Sequence, residues 1–163
     1  MGHRVEVDPV FRRLDDGIVI EVTDQEAGFL SQIPSLLDSV GHEHGDPGYS
    51  VLHRPLCISD ANVDEELRAL VSQELESQRH TDRSVLERCL RERSVMTRDE
   101  AHGFLRSLNE ARLVLAARAG AFEEGPAWEN RIDEDPSLAV VAWLGYVQSE
   151  LLSVLNGDAG TKP

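Results

Sequence analysis

One stretch decides the fold: residues 97–118, which read TRDEAHGFLRSLNEARLVLAAR. The pattern predicts a long central helix. Thr97 can cap its N-terminus, and Glu100 stands three residues later, where it completes a capping box. Asp99 adds a negative charge in the first turn, where the helix dipole favours one. Apolar residues at helical spacing predict one buried face, made of Ala101, Phe104, Leu105, Leu108 and Leu115.

Arg112 is the most informative residue of this helix. It stands four residues after Leu108 and three before Leu115, so it points into the apolar face. An unpaired guanidinium in that position would cost several kcal/mol, so it needs a carboxylate or several carbonyl groups. One interpretation is a structural buried ion pair, with Glu150 as the partner and Gln148 as a hydrogen-bonding alternative. The other is an arginine that binds a ligand.

The composition is that of an acidic globular protein. The chain has 163 residues, 40% of them hydrophobic and 28% charged, with a formal net charge of −14. A charge of this sign disfavours direct binding to nucleic acid, which depends on lysine and arginine. The two cysteines are too few for a disulfide framework, and no run of residues has the length of a membrane span. We therefore expect a cytoplasmic protein without a membrane segment.

The N-terminal part predicts a β-hairpin over residues 5–22. Residues 10–14 and 18–22 are rich in β-branched and large apolar residues, and they flank Asp15-Asp16-Gly17. The Asp-Gly step supplies the positive φ that a tight turn needs. Because an isolated hairpin is only marginally stable, we expect it to pack on the helices.

The rest of the chain predicts further helices. Thr23 and Glu26 form a capping box, and Pro34 should divide the following segment into two short helices. Asn62 should open a helix whose apolar side buries residues 63, 67, 70, 71 and 75, and Thr81 or Asp82 should begin another.

The last predicted helix begins at Asp135-Pro136 and runs to about residue 155. The fold class is therefore mainly α (α+β), with a small N-terminal β-hairpin packed on a bundle of about five helices. We expect one domain over residues 1–155, with the helical bundle at 24–155 and a disordered tail at 156–163.

Four residues in the first half of the chain are candidates for chemistry: His42, His44, His53 and Cys57. Imidazole and thiolate groups suit zinc, which leaves a metal-dependent or thiol-dependent enzyme as an alternative. Their spacing matches no closed tetrahedral site, however. We therefore favour surface histidines on a loop, with no metal, no cofactor and no catalytic residue.

Two further features concern a partner or a redox response. The arginines at 79–93 form a basic segment that could bind a partner: Arg79, Arg83, Arg88, Arg91 and Arg93. Cys89 falls on an apolar face, where a free cysteine usually behaves as a small buried hydrophobic residue. Its cationic neighbours would lower its pKa and make it redox-responsive if it were exposed.

Two phrases resemble a known family. LNEARL at 108–113 and WLGYVQSEL at 143–151 are similar to the signature helices of an actinobacterial domain-of-unknown-function family, numbered two thousand and seventeen. The order of parts also agrees, with an N-terminal hairpin, a variable loop and two late helices. The residues that carry the resemblance are Asn109, Arg112, Trp143 and Gln148.

The resemblance implies a non-enzymatic regulatory or interaction protein. One described role in the family is redox-dependent, stress-linked regulation of transcription through a protein partner, an RNA polymerase sigma factor. A redox switch here would have to join Cys57 to Cys89, whose Cα atoms would need to approach within about 7 Å. A dimeric structural subunit, paired through the Trp143 helix, is the remaining alternative.

Overall fold

The computed structural model describes residues 8–40, 45–52, 61–123 and 125–157, without the side chains of residues 61–64, 68 and 126. Within these ranges the chain forms a two-stranded hairpin followed by helices, which confirms the predicted fold class. The elements are β1 (Phe11–Leu14), β2 (Gly17–Ile20), α1 (Asp24–Leu30), α2 (Ile33–Val40), α3 (Tyr49–Leu52), α4 (Ala61–Glu92), α5 (Arg98–Arg118), a 3₁₀ segment (Gly125–Arg131) and α6 (Pro136–Leu155).

Helix α5 lies at the centre, as predicted. Its Thr97–Glu100 capping box is formed in both directions. The helix packs mainly against α6 and α4, and it also contacts α2, α3 and β2. Leu105 and Leu115 are half-buried, because the buried surface extends around more of the helix than one stripe: Ala101, Gly103, Phe104, Ser107, Leu108, Ala111, Val114 and Ala116.

The hairpin forms as predicted, with Phe11 opposite Ile20 and Leu14 opposite Gly17. It is attached to the helices by the edge of β2. Ile18 and Met96 exchange backbone hydrogen bonds of 2.9 and 2.7 Å, which joins the hairpin to the connection between α4 and α5. The absence of a side chain at Gly17 allows this approach, because a Cβ there would overlap the Met96 carbonyl oxygen.

The segment with Pro34 is divided in two, as predicted. Helix α1 ends at Leu30 and α2 begins at Ile33, so the missing backbone donor of Pro34 falls in the first turn of a new helix. The predicted apolar face is buried over both helices and consists of Leu30, Ile33, Leu37 and Val40.

Helix α4 corrects the sequence analysis. The two predicted helices are one continuous helix of 32 residues, and neither Thr81 nor Asp82 is a cap. Asp82 is only 4% exposed, and its carboxylate accepts two hydrogen bonds from Arg106 of α5, at 2.8 and 2.9 Å. The Asp82 carboxylate, which was expected to cap the start of a helix, instead forms an ion pair with another helix.

Helix α6 begins as predicted, with the Asp135 carboxylate accepting from the Ser137 amide at 3.0 Å. By length and composition alone it could cross a membrane, which corrects the prediction that no run of residues has the length of a span. In the described structure one side of it is buried, mainly against α5: Leu138, Val141, Leu144, Val147, Leu151, Val154 and Leu155.

Candidate functional site

The contact between α5 and α6 brings together three of the four signature residues. The side-chain oxygen of Asn109 accepts a hydrogen bond from Gln148 Nε2 at 3.2 Å and a longer one from Arg112 Nη2 at 3.4 Å. The predicted ion pair with Glu150 is not formed, since Arg112 has no carboxylate within 4 Å in the described part of the chain. Gln148, the alternative partner, shares the Asn109 oxygen with Arg112.

The Arg112 side chain lies against α6 beside Gly145, at distances that would be ordinary van der Waals contacts for a Cβ. A Cβ at this glycine would stand 3.7 Å from Nη1 and 3.8 Å from Cδ of Arg112. The side chain therefore runs along the backbone of α6. Its Nε atom is buried and has no hydrogen-bond partner among the described residues. A buried donor without an acceptor is destabilising, so this guanidinium is incompletely satisfied by the described residues.

A cavity of about 300 Å³ adjoins Arg112. It is formed by α5, α6, the 3₁₀ segment and the turn that precedes that segment. Arg112 is the charged residue of the lining, and the other lining residues are apolar, glycine or aromatic: Leu113, Ala116, Ala121, Phe122, Gly125, Trp128 and Val141. We call it the Arg112 cavity. An arginine in apolar walls is chemically suited to hold a small anion.

Trp143, the fourth signature residue, lies on another side of α6. It lines a groove of about 570 Å³ between α6 and the α1–α2 pair. Its ring is 6.4 Å from the ring of Phe29, with a tilt of 58°. We call this surface the Trp143 groove. It is separate in its lining from the Arg112 cavity, so the signature residues do not form one site.

The first half of α4 carries a second correction. The apolar side of this segment was predicted to be buried, but Leu67, Leu70 and Leu75 are 38%, 65% and 48% exposed. Val71, which lies between them on the same face, is half-buried. We call these four residues the α4 stripe. Every other described side chain from Glu65 to Gln78 is exposed.

The basic segment is not a free basic surface, which corrects the predicted partner-binding patch. Arg79 bonds to Glu110 at 2.8 Å, and Arg83 bonds to Asp38. Arg88 pairs with Glu100, and Arg93 with Asp24 and the Val22 carbonyl. Arg91 has a neighbouring acid, Glu92, at 3.4 Å. Four of the five arginines thus connect α4, or its C-terminal end, to other elements.

Cys89 faces inward, as predicted, with 0% of its surface exposed. Arg88 Nη2 and Ser94 Oγ lie 3.9 and 4.0 Å from its sulfur. His42, His44, His53 and Cys57 lie outside the described residues, so the metal-site and Cys57–Cys89 hypotheses stay predictions. Among the residues that are described, no three histidine, cysteine or acidic side chains form a group that could hold a metal ion.

Three groups have shifted pKa values. A hydrogen bond from Arg118 and another from the Gly48 amide hold the pKa of Asp46 below its usual value of 3.8. Hydrogen bonds to Asp82 raise the pKa of Arg106. Burial, together with Glu150 and Glu26, raises the pKa of Tyr146. The first two shifts arise in ion pairs that connect elements, and none of the three groups lines the Arg112 cavity.

The site was only partly accessible to sequence reasoning. The inward direction of Arg112 could be predicted from helical spacing. The cavity could not, because its walls come from α5, α6 and the turn and 3₁₀ segment between them. No local pattern in the sequence specifies how these walls come together.

The described elements define a mainly α protein with a small antiparallel hairpin. A family model described as "Domain of unknown function (DUF2017)" matches residues 7–155. The chain therefore belongs to this family, as the resemblance of its late helices predicted. No curated protein and no solved structure matches the chain.

Proposed function

We propose that this chain is a non-enzymatic regulatory protein that acts by binding a protein partner through the α4 stripe. The observation that carries the proposal is the exposure of three leucines on one face of a helix, at spacings typical of a buried face. Contiguous exposed apolar residues with a polar surround are typical of an interaction surface. A partner helix or groove would cover them by the helix-in-groove mode.

The charge around the stripe favours a basic partner over a second copy of this chain. Residues 65–76 contain Glu65, Glu66, Glu74 and Glu76 and a single arginine. Two such helices side by side would repel each other, because like charges across an interface are unfavourable. A partner with an apolar face and flanking lysines or arginines would complement the stripe. One role described in the family, stress-linked regulation of transcription, supports a sigma factor as one partner of this kind.

The test is site-specific photo-crosslinking in cells. A benzophenone amino acid at Leu70 should trap one predominant partner, whereas the same group at Glu87, exposed on the second half of α4, should not. The purified partner should then bind the wild-type chain. Its affinity for the triple variant L67E/L70E/L75E should be at least about tenfold lower than its affinity for the wild type. Equal crosslinking at both positions, or equal affinity for the triple variant, would contradict the proposal.

The Trp143 groove supports a second candidate, the dimeric subunit. The exposed Phe29 of α1 and the half-buried Trp143 of α6 both line this groove, and their rings are in contact. Light scattering of the purified protein distinguishes the two candidates. A dimer that dissociates in W143E but not in L70E would favour this second candidate.

A further inference from the structure

We propose that the Arg112 cavity is a binding site for a small organic carboxylate with an apolar body. This inference is independent of the α4 stripe, because the two surfaces share no residue. It begins from the cation. Arg112 Nε is buried without an acceptor, and Nη2 has one long hydrogen bond, to an oxygen that Gln148 also uses.

The guanidinium is therefore partly shielded from water, and none of the described residues provides a counter-ion for it. A carboxylate in the cavity would supply a counter-ion at the Nη groups, because its two oxygens match the fork of an arginine and accept charge-assisted hydrogen bonds, whereas Nε itself stays buried. By contrast, each of the five arginines of the basic segment has an acidic neighbour.

The walls determine the rest of the ligand. Apart from Arg112, the described lining contains no charged group, and Trp128 and Phe122 contribute aromatic surface. A volume of about 300 Å³ is at the small end of ligand cavities. One cation in apolar walls suits a single negative charge on an apolar body. A phosphate dianion would need more donors than this lining offers.

Binding can be measured by the fluorescence of Trp128. Since Trp143 lies outside the cavity, the W143F variant leaves one reporting tryptophan. The probes are benzoate, cyclohexanecarboxylate, uncharged benzamide and inorganic phosphate. We expect saturable binding of the two carboxylates, with benzamide and phosphate at least about tenfold weaker, since a hydrogen bond to a charged group is worth about that much.

Two variants and one control assign the binding to the cavity. R112Q should weaken benzoate at least about tenfold. The control is R118Q, which removes another arginine of α5. Arg118 forms an ion pair with Asp46 outside the cavity, so this variant should leave the affinity for benzoate unchanged. If R112Q does not fold, A116L carries the test, because a larger side chain at this lining position should reduce binding by a similar factor.

Several results would overturn the proposal. One is the absence of saturable carboxylate binding up to about 10 mM. Another is that benzamide or phosphate binds as tightly as benzoate. A third is that both R112Q and A116L bind benzoate with the affinity of the wild type. Amide chemical shifts give an independent readout. Benzoate should shift residues around Arg112 and Trp128, and shifts confined to Phe29 and Trp143 would place the ligand in the Trp143 groove and contradict the inference.

Discussion

At the scale of single residues, the contact of Asp82, Arg106 and Gly103 holds α4 against α5. Asp82 accepts two hydrogen bonds from Arg106 and one from Gln78 at 2.9 Å. Gly103 leaves room for the carboxylate, because a Cβ there would lie 2.6 Å from Asp82 Oδ1. Sequence reasoning interpreted Asp82 as a cap, since aspartate is common at that position. Its true partner is 24 residues away, and no local pattern specifies it.

We expect Asp82→Asn to destabilise the protein by about 1–3 kcal/mol, because a buried carboxylate loses charge-assisted hydrogen bonds to Arg106. Urea unfolding monitored by circular dichroism measures the change. Glu87→Gln, at an exposed position of the same helix, should change the free energy of unfolding by less than about 0.5 kcal/mol. Equal effects of the two substitutions would contradict this account of the contact.

Two glycine substitutions should have opposite signs. Gly28→Ala should stabilise the protein by about 0.5–1 kcal/mol, because alanine is the better helix former and a Cβ at residue 28 meets no atom within 4 Å. Gly103→Ala should destabilise it, since the new methyl group displaces the Asp82 carboxylate and the cost exceeds the gain in helix propensity. Thermal unfolding of both variants checks the prediction, which fails if Gly103→Ala is as stable as Gly28→Ala.

Asp46 predicts a dependence of stability on pH. Its pKa is lower in the folded protein than the usual 3.8, so its interaction with Arg118 stabilises the fold above about pH 4. This contribution is lost as the pH falls through the lowered pKa. Asp46→Asn should therefore be less stable than the wild type at neutral pH, and the difference should shrink in acid. A difference that stays constant from pH 7 to about pH 2 would be inconsistent with this linkage.

At the scale of elements, local signals were predictable and long-range pairings were not. The capping boxes of α1 and α5 and the Asp135 cap depend on residues within three positions of each other. In contrast, Arg79 pairs with Glu110 and Arg83 with Asp38, far along the chain. Residues 67, 70, 71 and 75 have the same spacing whether their face is buried or exposed. Periodicity predicted the helix but could not predict what would cover it.

The two halves of α4 should respond differently to substitution. Leu70→Glu should leave the free energy of unfolding within about 0.5 kcal/mol of the wild type, because the side chain already faces water. Leu86→Ala, in the buried half, should cost about 2–5 kcal/mol, since it removes a fully buried side chain and leaves a cavity. Urea unfolding of each variant provides the comparison. A large loss for Leu70→Glu would mean that the stripe is covered within the monomer.

At the scale of the whole molecule, the net charge and the internal use of arginine act together. The formal charge is −14, and Arg79, Arg83, Arg88 and Arg93 are engaged with acids of other elements. The charge that an approaching molecule meets is therefore mainly negative. This balance disfavours unassisted contact with nucleic acid and favours a basic partner.

The affinity for the partner trapped at Leu70 should consequently fall with added salt. The fall should appear between about 0.1 M and about 1 M salt, where the Debye length decreases from about 10 Å to about 3 Å. It should be mostly a decrease in the association rate. Stopped-flow association rates at several salt concentrations measure it. Rates that do not depend on salt would indicate that the partner is not recognised by its basic charge.

The pairing of Ile18 with Met96 has a consequence for biosynthesis. The hairpin leaves the ribosome before the backbone that completes its edge, which follows about eighty residues later. At about 5–20 residues per second, the nascent hairpin waits several seconds for that backbone. During this interval it has an unpaired edge, which is a risk for aggregation. The waiting edge belongs to β2, which has no charged residue to discourage such pairing, since the exposed arginines at positions 12 and 13 lie on the other strand, β1.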